Sequence, residues 1–132
     1  MSSVLRPLIV KVDAFHYRMD LVANQLIEAG FQLVRASTVK EGIRLARRCK
    51  PVLILTIDNP RAGIDGAHWL EVQHSDSEVS LAMTPLLILA ETGRAERLKV
   101  HELPDRVQIL PLMLTPEQLV WHIHDILSVW SF

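Results

Sequence analysis

A chain of 132 residues sets the scale of one domain, and at 49% hydrophobic and 22% charged it is a globular composition rather than a disordered tail. The formal net charge of -1 supplies no overall basic field for nucleic acid, and the single Cys49 excludes an intrachain disulfide. The opening segment meets Lys11 and Asp13 too soon for a signal-peptide core or a membrane span, so a cytoplasmic location and no membrane contact are expected.

Five short apolar runs alternate with helical patterns: Leu8 to Val12, Phe31 to Val34, Val52 to Ile57, Pro85 to Ala90 and Val107 to Leu110. Most lack polar alternation, which suits parallel strands covered on both faces; Phe31 to Val34 is the weakest and fits an edge. The first helix is predicted from about Tyr17 to Ala29, with Met19, Val22 and Leu26 at steps of three and four and Gly30 as its stop. The second opens on Thr38-Val-Lys-Glu41, a capping box, with Ile43 and Ala46 as its inner stripe. A third spans Gly66 to His74, followed by a polar loop through Ser80. A fourth runs from Thr92 to about Leu103, with a thin apolar stripe. The last begins at Pro116 and carries one broad face through Leu119, Ile123, Ile126 and Trp130. Strict alternation implies right-handed crossovers and a doubly wound sheet, with its working site beyond the carboxyl ends of the strands.

Asp13 and Asp58 stand at such ends. Asp58 follows Leu-Ile-Leu-Thr-Ile and precedes Asn-Pro-Arg-Ala-Gly-Ile-Asp-Gly. With Gly63-Ile-Asp-Gly66 as its turn, this segment resembles the response-regulator receiver family, whose phosphoacceptor aspartate ends the third strand. Gln25 to Phe31, Thr84-Pro85 and Thr115 to Leu119 extend the resemblance over about residues 7 to 130 of a single domain. It implies a flavodoxin-like, five-stranded parallel sheet in the order 2-1-3-4-5 with helices on both faces.

The family's chemistry implies an acid pair after the first strand, magnesium, a hydroxyl after the fourth strand and a lysine after the fifth. A hard cation and an ammonium would neutralise charge on the phosphoryl group as the carboxylate attacks it. Here Ala14 stands at the second acid, Ala90 at the hydroxyl and Leu112 near the lysine. A one-residue slip would make Asp13 the second acid, without restoring the other two. Asp58 remains the phosphoacceptor candidate, and Asp13 with Asp58 forms an acidic pocket and a weak Mg²⁺ site. No other cofactor is expected.

Lys11 shares a face with Asp13, and two readings stay open. Its ammonium reaches Asp13 or Asp58 as an internal counter-ion, or it snorkels near the strand's start. The run Arg44, Arg47, Arg48, Lys50 reads as a solvated helix end rather than a nucleic-acid surface. His122 and His124 fall on different helix faces and make a poor metal pair.

Trp121, Trp130 and Phe132 are interface candidates, because aromatics concentrate contact energy; the alternative is that they pack over the sheet edge. The resemblance places a contact or homodimer face on the fourth helix, fifth strand and last helix. The leading expectation is a pseudo-receiver, a regulatory protein–protein interaction or dimerisation module with weak or no phosphotransfer. The second is a working phosphoacceptor that takes a phosphoryl group on Asp58 from a histidine kinase, as a lone adaptor or the front of a transcription regulator. A flavin binder would need a hydroxyl- and glycine-rich loop after the first strand, which Asp13-Ala-Phe-His-Tyr does not offer. No nucleophile–base pair can be built from spacing, so no enzyme is expected.

Overall fold

The computed structural model describes residues 6–15, 20–100 and 102–130. Five strands, β1 (Leu8–Val12), β2 (Gln32–Ala36), β3 (Leu53–Ile57), β4 (Leu86–Ala90) and β5 (Val107–Pro111), form one parallel sheet in the order β2-β1-β3-β4-β5. This is the order the resemblance implies. The helices are α1 (Leu21–Glu28), α2 (Val39–Cys49), α3 (Gly66–His74), α4 (Val79–Ala82), α5 (Thr92–Lys99) and α6 (Pro116–Trp130), with a 3-10 turn at Pro60–Ala62.

Alternate residues of the central strands feed two cores. Val10, Val12, Ile54 and Ile88 face α2, α3 and α5, where Trp69 and Leu98 pack. Ile9, Leu55 and Leu87 face α1 and α6, where Leu26, Leu119 and Ile123 pack. Each such Leu or Ile contributes about 1.5–3 kcal/mol on burial, so both faces of the sheet hold the fold. At Gly42, α2 comes so near the sheet that a Cβ would stand 2.8 Å from Val12 and 2.9 Å from Trp69. The Trp69 indole N–H donates to Gln73 Oε1 at 2.9 Å. The Gln73 amide in turn donates to the carbonyls of Leu81 and Thr84, so this buried polar chain ties α3 to the entry of β4.

Several boundaries differ from the sequence expectation. The second strand lies at Gln32–Ala36, not Phe31 to Val34: Phe31 is a buried core residue whose own N–H belongs to the α1 end, donating to the Leu26 carbonyl. The stretch expected as loop through Ser80 instead begins a single turn, α4, stopped by Met83. The helix expected to reach Leu103 ends at Lys99. Within the described residues α1 begins at Leu21, because the Asp20 carboxylate caps it by accepting the Ala23 N–H at 3.1 Å; Tyr17 and Met19 lie outside the described residues. No helix among the described residues is long and apolar enough to cross a membrane.

Candidate functional site

The sheet order reverses between β1 and β3, and the chain beyond their carboxyl ends carries the acids. Asp58 follows β3, and its N–H donates to the Leu89 carbonyl of β4 at 2.8 Å, which fixes it at the strand's mouth. The loop that follows closes on itself through an antiparallel bridge between Asn59 and Ile64, with Gly63 at φ +89°, a left-handed turn that glycine enters without strain. This brings the first turn of α3 back over Asp58, so that the Gly66 N–H donates to its Oδ1 at 2.7 Å. A Cβ at position 66 would stand 3.3 Å from that oxygen.

The remaining capacity of the carboxylate is taken by Arg94, from the first turn of α5. Its Nε donates to Asp58 Oδ2 at 3.0 Å and its Nη2 to Oδ1 at 3.1 Å, a fork matched to both oxygens. The same Nη2 meets Asp65 Oδ1 at 3.1 Å, and Asp65 also caps α3 by accepting the Ala67 N–H at 2.9 Å. The Asp58 side chain is 1% exposed and that of Arg94 26%. The hydrogen bond to Asp58, against the opposing cost of burial, raises the Arg94 guanidinium further above its ordinary pKa. Burial alone would raise the Asp65 carboxyl, but the Ala67 N–H and the Arg94 guanidinium hold it below the ordinary carboxylate value.

A second cluster lies across the cleft. Lys11 is 1% exposed inside β1, and its ammonium stands 2.9 Å from Asp13 Oδ2 and 2.8 Å from Asp20 Oδ2. Asp13 also accepts the Phe15 N–H at 3.2 Å. Burial would raise the Asp20 carboxyl, but the Lys11 ammonium and the Ala23 N–H hold it below the ordinary value. The snorkelling reading of Lys11 is therefore overturned: a stem that deep in a central strand has no route to water, and the adjacent acids supply its partners. Its partners are Asp13 and Asp20, not Asp58.

The site is thus two sets of three, Asp58–Arg94–Asp65 and Asp13–Lys11–Asp20, each a cation between two carboxylates. They border a cleft of about 690 Å³. Ala14 packs half-buried against the core, Ala90 is fully buried at the end of β4, and the Leu112 N–H donates to the Ala90 carbonyl at 2.8 Å beyond β5. No hydroxyl or ammonium from these positions reaches Asp58. A divalent ion does not fit these residues as they stand. Both Asp58 oxygens and one Asp13 oxygen are held by cations of the chain itself, and no three His, Cys, Asp or Glu side chains among the described residues converge as ligands.

Sequence reasoning missed Arg94 and Asp20. The interface candidate Trp121 projects from α6 at 72% exposure, and Met113 and Leu112 of the β5–α6 loop are exposed as well. The side chain of Trp130, and Phe132, lie outside the described residues.

No family model matches the chain, and no curated protein matches it. Solved structures do. The chain is similar to the chemotaxis response regulator CheY4 of Vibrio cholerae, at 17% identity and a TM-score of 0.71 over 92% of this chain and 99% of that one. It is similar to a response regulator from Desulfuromonas acetoxidans, at 19% identity and a TM-score of 0.72 over 93% and 98%. A signal receiver domain of a histidine kinase from Syntrophus aciditrophicus aligns at 18% identity with a TM-score of 0.76 over 95% and 92%. At such identities the likeness is one of architecture: this chain has the fold of response-regulator receiver domains.

Proposed function

We propose that the chain is a regulatory module of a two-component type of signalling system that acts by binding other proteins, without catalysis and without phosphotransfer through Asp58. One observation carries this reading: the Arg94 fork occupies both oxygens of the carboxylate that would have to attack a phosphoryl donor. An attacking carboxylate needs a free oxygen and a cation that can follow the charge onto the phosphoryl group. Arg94 instead neutralises the carboxylate in its resting state, and Lys11 neutralises the acids that would hold magnesium. A fixed pair of internal ion clusters supports a receiver held in one conformation. The exposed Trp121 of α6 and Met113 of the β5–α6 loop supply apolar area through which it would bind a partner or a second copy.

The test is incubation with acetyl phosphate and Mg²⁺ followed by intact-mass measurement. The expected result is an unmodified chain. A stoichiometric phosphoryl adduct that disappears in Asp58→Asn would overturn the proposal in favour of a working phosphoacceptor served by a histidine kinase.

A further inference from the structure

A different surface carries a further inference, independent of Asp58. Between α2 and α3 lies a groove of about 470 Å³. Its floor is apolar, made by Val39 and Ile43 of α2 and Val72 of α3. Its α2 wall is cationic. Lys40, Arg44 and Arg47 follow one another at steps of four and three, which places them on one stripe of the helix beside that floor. His68, four residues before Val72, stands on the α3 wall. No acidic side chain lines the groove. Glu41 falls about 100° around α2 from Lys40, and Glu71 lines the separate cleft on the other side of α3. Arg47 is paired with Asp76, beyond the end of α3, with Nε at 3.0 Å, so this cation is fixed in place and compensated. Lys40 and Arg44 have no carboxylate in ion-pair range among the described residues.

We infer that this groove docks an acidic amphipathic helix of a partner protein. Such a helix would lay its apolar stripe on Val39, Ile43 and Val72 and set its carboxylates against Lys40 and Arg44. Charge complementarity selects the occupant: a neutral apolar segment would leave both cations facing unpaired across a desolvated rim, and a basic one would be repelled. The dimensions agree. α3 has nine residues, about 13 Å of axis, which matches two to three turns of a docked helix. Nucleic acid fits less well, because a phosphate backbone gains from a long run of free cations and nothing from an apolar floor.

The test is fluorescence anisotropy of the full chain with a labelled peptide of about 14 residues carrying glutamates three and four apart beside leucines. Three controls accompany it: the same peptide with lysines for glutamates, a glutamate-only peptide of equal charge, and a short DNA duplex. The expected result is saturable binding of the acidic amphipathic peptide alone. The paired substitutions Lys40→Glu and Arg44→Glu should weaken it roughly tenfold or more, since two rim charges are reversed. Arg48→Glu in the last turn of α2 with Lys50→Glu at its C-cap, both outside the groove, should change it less than about twofold at moderate salt. All these side chains are exposed, and circular dichroism checks that each variant stays folded. Failure of the acidic amphipathic peptide to bind, equal binding by the glutamate-only peptide or the duplex, or equal weakening by both variant pairs would each overturn the inference.

Discussion

Replacing Arg94 with alanine removes the fork over Asp58 and the contact to Asp65 in one step. Asp58 would then keep, among the described partners, only the Gly66 N–H, with its side chain still 1% exposed. Stranding one member of a fully buried ion pair costs about 3–5 kcal/mol. Arg94 is itself a quarter exposed, so water would enter behind it and screen the survivor, which brings the expected loss to roughly 2 kcal/mol. For a chain of this length that is a fall in melting temperature of roughly 6–10 °C. Asp58→Asn keeps an acceptor for Gly66 while removing the charge, and completes a double-mutant cycle with Arg94→Ala. Urea unfolding followed by circular dichroism should give a coupling energy of about 1–2 kcal/mol between the two positions. A coupling below about 0.5 kcal/mol would mean that the fork holds nothing together, and the reasoning would fail.

Lys11→Met replaces a buried ammonium with an apolar stem of similar length and leaves Asp13 and Asp20 facing each other without a cation. A loss of roughly 2–4 kcal/mol is expected, with much of it regained on adding Asp20→Asn; a neutral Lys11→Met would refute the ion cluster. In thermal melts, added Mg²⁺ should stabilise Lys11→Met and leave the unaltered chain unchanged. The folded-state pKa values of Asp20 and Asp65 lie below the ordinary 3.8, so both stabilise fully above about pH 5, and the contribution is lost as pH falls below about 4 through the folded values. Melting temperature against pH should show that acid limb, shallower in Asp20→Asn; an identical limb in the variant would contradict the assignment. Gly42→Ala should destabilise by about 1–2 kcal/mol in urea unfolding, because the new methyl meets Val12 and Trp69 and this outweighs the gain in helix propensity. A stabilised variant would show that α2 can move off the sheet.

The strands and the position of Asp58 were legible because they rest on local signals: apolar runs of strand length, a capping box at Thr38, and a Gly-x-Asp-Gly turn after the third strand; the strand order followed from the family resemblance alone. Arg94 was not. Its bond to Asp58 spans 36 residues, and α5 carries Arg94, Arg97 and Lys99 with no local mark of which one turns toward the cleft. The readable hint was position: Arg94 stands four residues past the buried Ala90 where a hydroxyl was expected, in the first turn of the next helix. Asp20 was readable as a cap before Leu21 but was hidden by the three-and-four spacing of Met19, Val22 and Leu26, which drew the predicted helix start back to Tyr17. The α4 turn was missed because four residues are too few to show a period, and tertiary packing of Leu81 decides it. Lys11 left two readings because a strand places its side chain on a face without saying how deep that face lies.

Fluorine NMR of the chain with beryllofluoride and Mg²⁺ tests the central claim most directly, since the phosphoryl analogue must displace Arg94 to reach the Asp58 carboxylate. The account predicts only the resonances of free fluoride and unbound beryllofluoride in the spectrum of the unaltered chain. A protein-bound fluorine resonance that vanishes in Asp58→Asn would contradict it.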